Sequence, residues 1–378
     1  MHGFANLQPI LEHFGLPNVA FPTQQFQVHR GFSGATVYRI ATQQGEYALR
    51  DWGPHCLPLR RLRGLHRLLD WMHREGVRTV AVPLVAETGS TVVIRDGAVW
   101  QLEPWLPGVA DFHANPSRDR LRNAMRALAD WHRAACRFEP APDEREWFRS
   151  DPADGSPAAR ERLQRILKWQ RGRLVRLRRA IGVGVGCPEF NFPSNAIDCP
   201  TAGPGELNSG HPTPSLDRLG HFLIECFETA SPGIAAELQT ATEWRVEVQP
   251  CLRDVWHDHV LFTGDDVTGL IDPSACRTEN VASDLARLLG SLVADDPPAW
   301  EFAIECYARH RELRAVELRL LPILDRSAVL LSGLTWLDRY YLQRRAFSDQ
   351  KAVFQRVELI ARRLAHLTGL PLPAQPQA

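Results

Sequence analysis

At 378 residues the chain has the length of two average domains or of one two-lobed enzyme, enough to bury a sizeable core. Hydrophobic residues make up 44% and charged residues 23%, the proportions of a globular protein and not of a disordered or fibrous one. Lysine plus arginine equals aspartate plus glutamate, 44 against 44, which excludes a global field drawing the chain to nucleic acid or anionic membrane.

Leu7, Ile10, Leu11 and Phe14 at helical spacing predict a short amphipathic helix over 5–15. The small-residue turn Gly31-Phe32-Ser33-Gly34-Ala35 precedes a strand, Thr36–Ala41, and a Gln44-Gly45 turn leads to its partner, Glu46–Arg50. Leu62, Leu65, Leu69 and Met72 mark a helix over 57–75, stopped by Gly76. Asp96-Gly97 joins strands 91–95 and 98–102 as a hairpin. Two prolines and a glycine in Glu103–Gly108 suggest a hinge. Beyond it, helices are expected over 120–136, 158–181, 215–229, 232–242, 283–293, 299–316, 320–345 and 350–368. A strand at 245–250 and a compact β-segment at 251–272 interrupt them, and 187–214 has the composition of an exposed loop. The pattern is α+β: a β-rich lobe with one long helix over 1–104 and a mostly helical lobe over 105–378.

Eight cysteines without a Cys-x-x-Cys pair read as a reduced, intracellular set. Cys187, Cys199 and His211 share one stretch but match no standard zinc spacing. There is no basic-then-apolar leader pattern, and no uninterrupted apolar run approaches a membrane span, so a cytoplasmic protein is expected.

The segment richest in chemistry runs from Cys251 to Asp272. Asp254 and Asp272 lie 18 residues apart at the ends of a loop and hairpin. Phosphoryl transfer needs such a pair, one carboxylate to orient an attacking hydroxyl and one to hold the metal that neutralises phosphate charge. The same residues also read as a surface turn followed by a capping aspartate.

The order of parts narrows this. Leu252-Arg253-Asp254, four residues, His259-Val260-Leu261-Phe262 and then Ile271-Asp272-Pro273 resemble the catalytic frame of the aminoglycoside phosphotransferase family, small-molecule kinases with a protein-kinase-like fold. Ser283-Asp284-Leu285-Ala286 resembles that family's downstream Asp-Leu-Ala, and Ala127–Ala134 its Leu-x-x-Leu-His helix. The resemblance spans 25 to about 345 and implies ATP and Mg²⁺, or Mn²⁺, as cofactors. It implies Asp254 as catalytic base and Asp272 as the main metal ligand. Backbone N–H groups of Gly31, Ser33 and Gly34 would cover the phosphates, and the backbone of Glu103 and Trp105 would pair with adenine.

Four positions depart from the family's pattern. Arg50 stands where the family has its phosphate-binding lysine, and neither Lys168 nor Lys351, the only lysines, can replace it. The helix 57–75 offers Leu65, His66 and Arg67 where a glutamate would pair with that residue. His259 stands for an asparagine metal ligand, and Leu252 for a histidine supporting the loop.

Two further stretches concentrate charge or imidazole. Arg160–Arg179 holds nine basic residues and one acid on an apolar-striped helix, a solvated basic face or an attractor of anions. Either reading argues against a polycationic aminoglycoside. His257-Asp258-His259 lacks a third local metal ligand. The leading expectation is a kinase acting on the hydroxyl of a small molecule. Its rivals are a catalytically weak, kinase-shaped binding protein and a nucleic-acid module built on the basic helix.

Overall fold

Pro9 in the first turn opens a short helix, α1 (Gln8–Glu12), and Gly15 at φ 72° closes the turn after it. These coordinates are a computed structural model that describes residues 7–16, 35–53, 57–182, 216–345, 347 and 350–373, and the backbone alone of 28–30. Gly31, Ser33, Gly34 and the 187–214 segment, with Cys187, Cys199 and His211, lie outside the described residues.

Alternating strands β1 (Val28–Arg30), β2 (Thr36–Thr42), β3 (Gly45–Asp51), β4 (Val93–Arg95) and β5 (Ala98–Pro104) form an antiparallel sheet ordered β1-β2-β3-β5-β4. On one face Ile40, Leu49, Trp100 and Leu102 pack against Leu7, Ile10, Leu11 and Phe14 of the α1 region. The cross-strand register sets Arg50 opposite Gln101 and Ala48 opposite Glu103, which brings these four to the other face. Helix α2 (Leu59–Arg74) buries the predicted Leu62, Leu65, Leu69 and Met72. It is tied down by Trp71 Nε1, which donates to the Ala134 carbonyl at 2.9 Å.

The chain continues through α3 (Arg118–Ala135), α4 (Arg145–Phe148), β6 (Asp151–Asp154), α5 (Pro157–Lys168), α6 (Leu174–Gly182), α7 (Leu216–Ala241) and β7 (Arg245–Cys251). It then forms β8 (Val260–Thr263), β9 (Asp266–Leu270), β10 (Arg277–Glu279), α8 (Ala282–Leu292), α9 (Pro297–Ala308), α10 (Ala315–Leu337) and α11 (Gln350–Thr368). β6 and β10 flank β7 in a three-stranded sheet, and β8 and β9 make a hairpin. The chain packs as two compact units, residues 1–158 with 241–325 and residues 159–240 with 326–378.

Several elements differ from the sequence expectation. The helix expected over 158–181 is broken into α5 and α6 by a π-turn at Trp169–Arg173, where Gly172 takes φ 117°, a conformation open to glycine. The two helices expected at 215–229 and 232–242 are one, α7, which runs through Pro232. Burial of Phe227, Ile234 and Leu238 along it offsets the lost backbone hydrogen bond. The segment expected as a hinge is fastened down: Thr268 Oγ1 donates to the Pro107 carbonyl at 2.6 Å, and Val109 and Phe262 exchange backbone bonds of 3.0 and 2.9 Å. Gly108 takes φ 102° there, and a Cβ on it would stand 2.4 Å from Thr268 Oγ1. Contrary to the composition-based expectation, one helical stretch, Ala315–Leu342, is long and apolar enough to cross a membrane, although most of its apolar window is buried in the protein.

Candidate active site

The turn Leu252–Asp254 is built from the inside outward. Leu252 and Arg253 point their backbone N–H groups at the fully buried Asp284 carboxylate of α8, at 2.7 and 2.6 Å. His132 of α3 donates to the same carboxylate from Nε2 at 3.1 Å and accepts the Tyr307 hydroxyl at Nδ1, 2.8 Å away. Burial lowers the His132 pKa although Asp284 pulls it upward, which suits a neutral ring that donates on one side and accepts on the other. With its N–H groups clamped, Arg253 sits at φ 63° and Asp254 N–H closes a tight turn onto the Leu252 carbonyl at 2.8 Å. This turn presents the half-exposed Asp254 side chain, and Arg287 Nη2 donates to its Oδ1 at 3.0 Å.

The second carboxylate follows the β8–β9 hairpin. The Ile271 N–H donates to the His259 carbonyl at 3.0 Å, and Asp272 next to it takes a left-handed conformation at φ 53°. Arg50 Nη1 reaches Asp272 Oδ1 at 3.3 Å, and Arg50 Nη2 lies 3.7 Å from Glu103 Oε1. Its guanidinium carbon stands 5.1 Å from the centre of the Trp52 ring. Burial alone would raise the Asp272 carboxyl. Arg50 foremost, with the Ser274 hydroxyl, outweighs it and holds the group below its usual range. Glu103 goes the other way: burial pushes its carboxyl up against the pull of Arg50 and Gln101.

The counter-charge to Arg50 therefore comes from Glu103 on β5 and from Asp272, and not from α2. At the helix position stands His66, 3% exposed. Its Nε2 donates to Gln101 Oε1 at 2.9 Å, and its Nδ1 accepts from Thr91 Oγ1 at 2.7 Å. The Trp52 indole also donates to Gln101 Oε1, at 3.1 Å, which fixes that atom as the amide oxygen. Gln101 Nε2 then donates to Glu103 Oε2 at 2.6 Å. A hydrogen-bonded line thus runs from α2 through His66, Gln101 and Glu103 to Arg50. Glu103 was expected here for its backbone alone; the register that turns its side chain toward Arg50 is a property of the β3–β5 pairing.

Two residues with expected roles have other hydrogen-bond partners in this structure. Trp105, whose backbone was expected to pair with adenine, donates its N–H to the Glu46 carbonyl at 2.9 Å because the β3–β5 ladder runs one residue further than β5 itself. His259, expected as a metal ligand, has both ring nitrogens occupied. Trp256 Nε1 donates to its Nε2 at 2.9 Å, and its Nδ1 donates to the Asp254 carbonyl at 2.7 Å. An indole N–H only donates, so His259 Nε2 is the acceptor and its lone pair is used. His259 braces the loop. Asp272 is left as the carboxylate of this pair suited to an oxygen-seeking cation.

Residues 26–182 match the phosphotransferase enzyme family. Among curated proteins, the homoserine kinase of Rhodopseudomonas palustris (strain TIE-1) is 35% identical over 94 residues, 22% of this chain and 29% of that kinase. The chain thus matches less than a third of that relative's length. Among solved structures, an amicoumacin kinase in complex with AMP-PNP, Ca²⁺ and Ami aligns at a TM-score of 0.60 with 12% identity, over 99% of this chain and 98% of that one. A microcompartment-associated aminopropanol kinase aligns at 0.57 with 15% identity, over 97% of both chains. The chain has the protein-kinase-like fold of these phosphotransferases, an antiparallel sheet in its first part and a helical remainder.

Proposed function

We propose that the chain is a kinase that transfers the γ-phosphoryl group of ATP to the hydroxyl of a small molecule. The observation that carries this reading is the pair of carboxylates Asp254 and Asp272, one on a turn clamped by Asp284 and one held by Arg50. Residues 1–104 would form the nucleotide-binding lobe and 105–378 the lobe that carries the catalytic loop. Asp254 would orient the acceptor hydroxyl and take its proton, and Arg50, braced by Glu103, would lie along the phosphates. Asp272 would hold the divalent metal, which when bound supplies neutralisation of phosphate charge. The relatives are named for homoserine and aminopropanol, small hydroxylated amines, and acceptors of that size fit the reading.

Asp254→Asn tests it. Phosphoryl transfer from ATP across a panel of small alcohols should fall by roughly 10²–10⁴, while the ATP-induced rise in thermal midpoint persists. Equal turnover in the variant would remove Asp254 from the mechanism.

The occupied nitrogens of His259 favour a second reading, a kinase-shaped nucleotide-binding protein that transfers slowly. Under it Arg50→Lys raises turnover by restoring the family's residue. In a site rebuilt around Glu103 the same change lowers it.

A further inference from the structure

We infer that the phosphate acceptor carries a carboxylate and that Arg287 is the residue that selects it; this rests on the phosphotransfer reading above. Helix α8 buries almost every side chain from Ala282 to Leu289, and Arg287 is the exception, reaching Asp254 with its side chain 29% exposed. Asp284 and Arg287, one helical turn apart, thus hold the same catalytic turn twice, by its backbone N–H groups and by its carboxylate. Among the described residues Asp254 is the one partner of Arg287, and it uses one of five guanidinium N–H groups. The rest of the fork is presented beside the proposed base.

An arginine there has two effects. While the pair is made, Oδ1 of Asp254 is taken by Arg287 and withheld from a hydroxyl or a water. An ion pair between two part-exposed side chains is held weakly, so a better partner displaces it. A substrate carboxylate is that partner, because it receives a guanidinium fork through two parallel bonds. An acceptor with such a group would draw Arg287 off the base as it docks, and an uncharged or purely cationic alcohol would leave the pair closed.

The test uses acceptors that differ by one carboxylate: L-homoserine against aminopropanol, and L-serine against ethanolamine. kcat/KM is measured for each with ATP, in wild type and Arg287→Gln, alongside the ATP KM and uncoupled ATP hydrolysis. The wild type should prefer the carboxylated member of a pair by at least about tenfold. Arg287→Gln should collapse that ratio toward unity through the KM of the carboxylated member and raise ATP hydrolysis by water. Arg287→Lys, with charge but no fork, should restore part of the preference. A ratio that the substitution leaves unchanged overturns the inference. So does an ATP KM that rises equally with every acceptor, which would put Arg287 on the nucleotide. ATP turnover with no preference for a carboxylate sinks the inference and spares the kinase reading. Absence of both ATP turnover and an ATP-induced thermal shift removes the kinase reading and the inference with it.

Discussion

Arg50 carries the weight of this site because three groups define where its guanidinium lies: Glu103, Asp272 and the Trp52 ring. Removing the Glu103 charge leaves Asp272 as its only carboxylate partner among the described residues. Under the proposed kinase reading, Glu103→Gln should therefore shift Arg50 and raise the KM for metal–ATP roughly tenfold, the scale of one charge-assisted contact. An unchanged KM in steady-state kinetics would make Glu103 a bystander. His66 adds a pH signature. Burial holds its pKa near 4, below its ordinary 6.5, so the folded state keeps it neutral while the unfolded chain takes up a proton. Its contribution to stability is complete above pH 6.5 and is lost as pH falls toward 4, a loss of roughly 3 kcal/mol over the full window. Urea unfolding at several pH values should show a shallower acid decline for His66→Gln than for wild type; parallel curves would refute the assignment. The sequence already showed Arg50 in place of a lysine and, at the expected position on the helix, His66 and its neighbours in place of a glutamate. Glu103 could not be assigned from sequence, because its side chain meets Arg50 only through the cross-strand register.

At the scale of elements, the turn that presents Asp254 depends on a helix 30 residues downstream of it, since Asp284 of α8 satisfies the N–H groups of both Leu252 and Arg253. Asp284→Ala would strand two buried N–H groups and leave the inner nitrogen of His132 unpaired. A loss of about 3–5 kcal/mol is expected in denaturant unfolding, with turnover falling in step as Arg253 leaves its left-handed conformation. The Asp284 motif and the β8–β9 hairpin were legible because their residues lie close in sequence. β6 was not: Asp151–Asp154 contains a proline and two aspartates, and it becomes a strand by pairing with β7 nearly a hundred residues later. The break between α5 and α6 hid for the opposite reason, one glycine inside an otherwise perfect helical repeat. The basic residues of that stretch are partly neutralised within their own unit. Arg173 forks onto Asp338, Nε to Oδ1 at 3.1 Å and Nη2 to Oδ2 at 2.6 Å, and Arg178 pairs with Glu228.

For the whole molecule, most strands and helices could be read from periodicity in their order, but the packing units could not. The unit that holds the site is discontinuous: residues 1–158 need 241–325 to complete them, and 82 residues of the other unit intervene, from 159 to 240. Nothing in composition marks that excursion, because both units use the same apolar-striped helices. The arrangement has a consequence for synthesis. On a ribosome adding about 5–20 residues per second, the first segment waits roughly ten to thirty seconds for its complement. Trp131 and His132, both fully buried in the finished fold, meet β7 through Pro250 and Gln249, so they stay uncovered on the nascent chain until that strand emerges. The geometry that lets a late helix clamp the Leu252–Asp254 turn thus leaves an early helix waiting with its apolar face uncovered during synthesis.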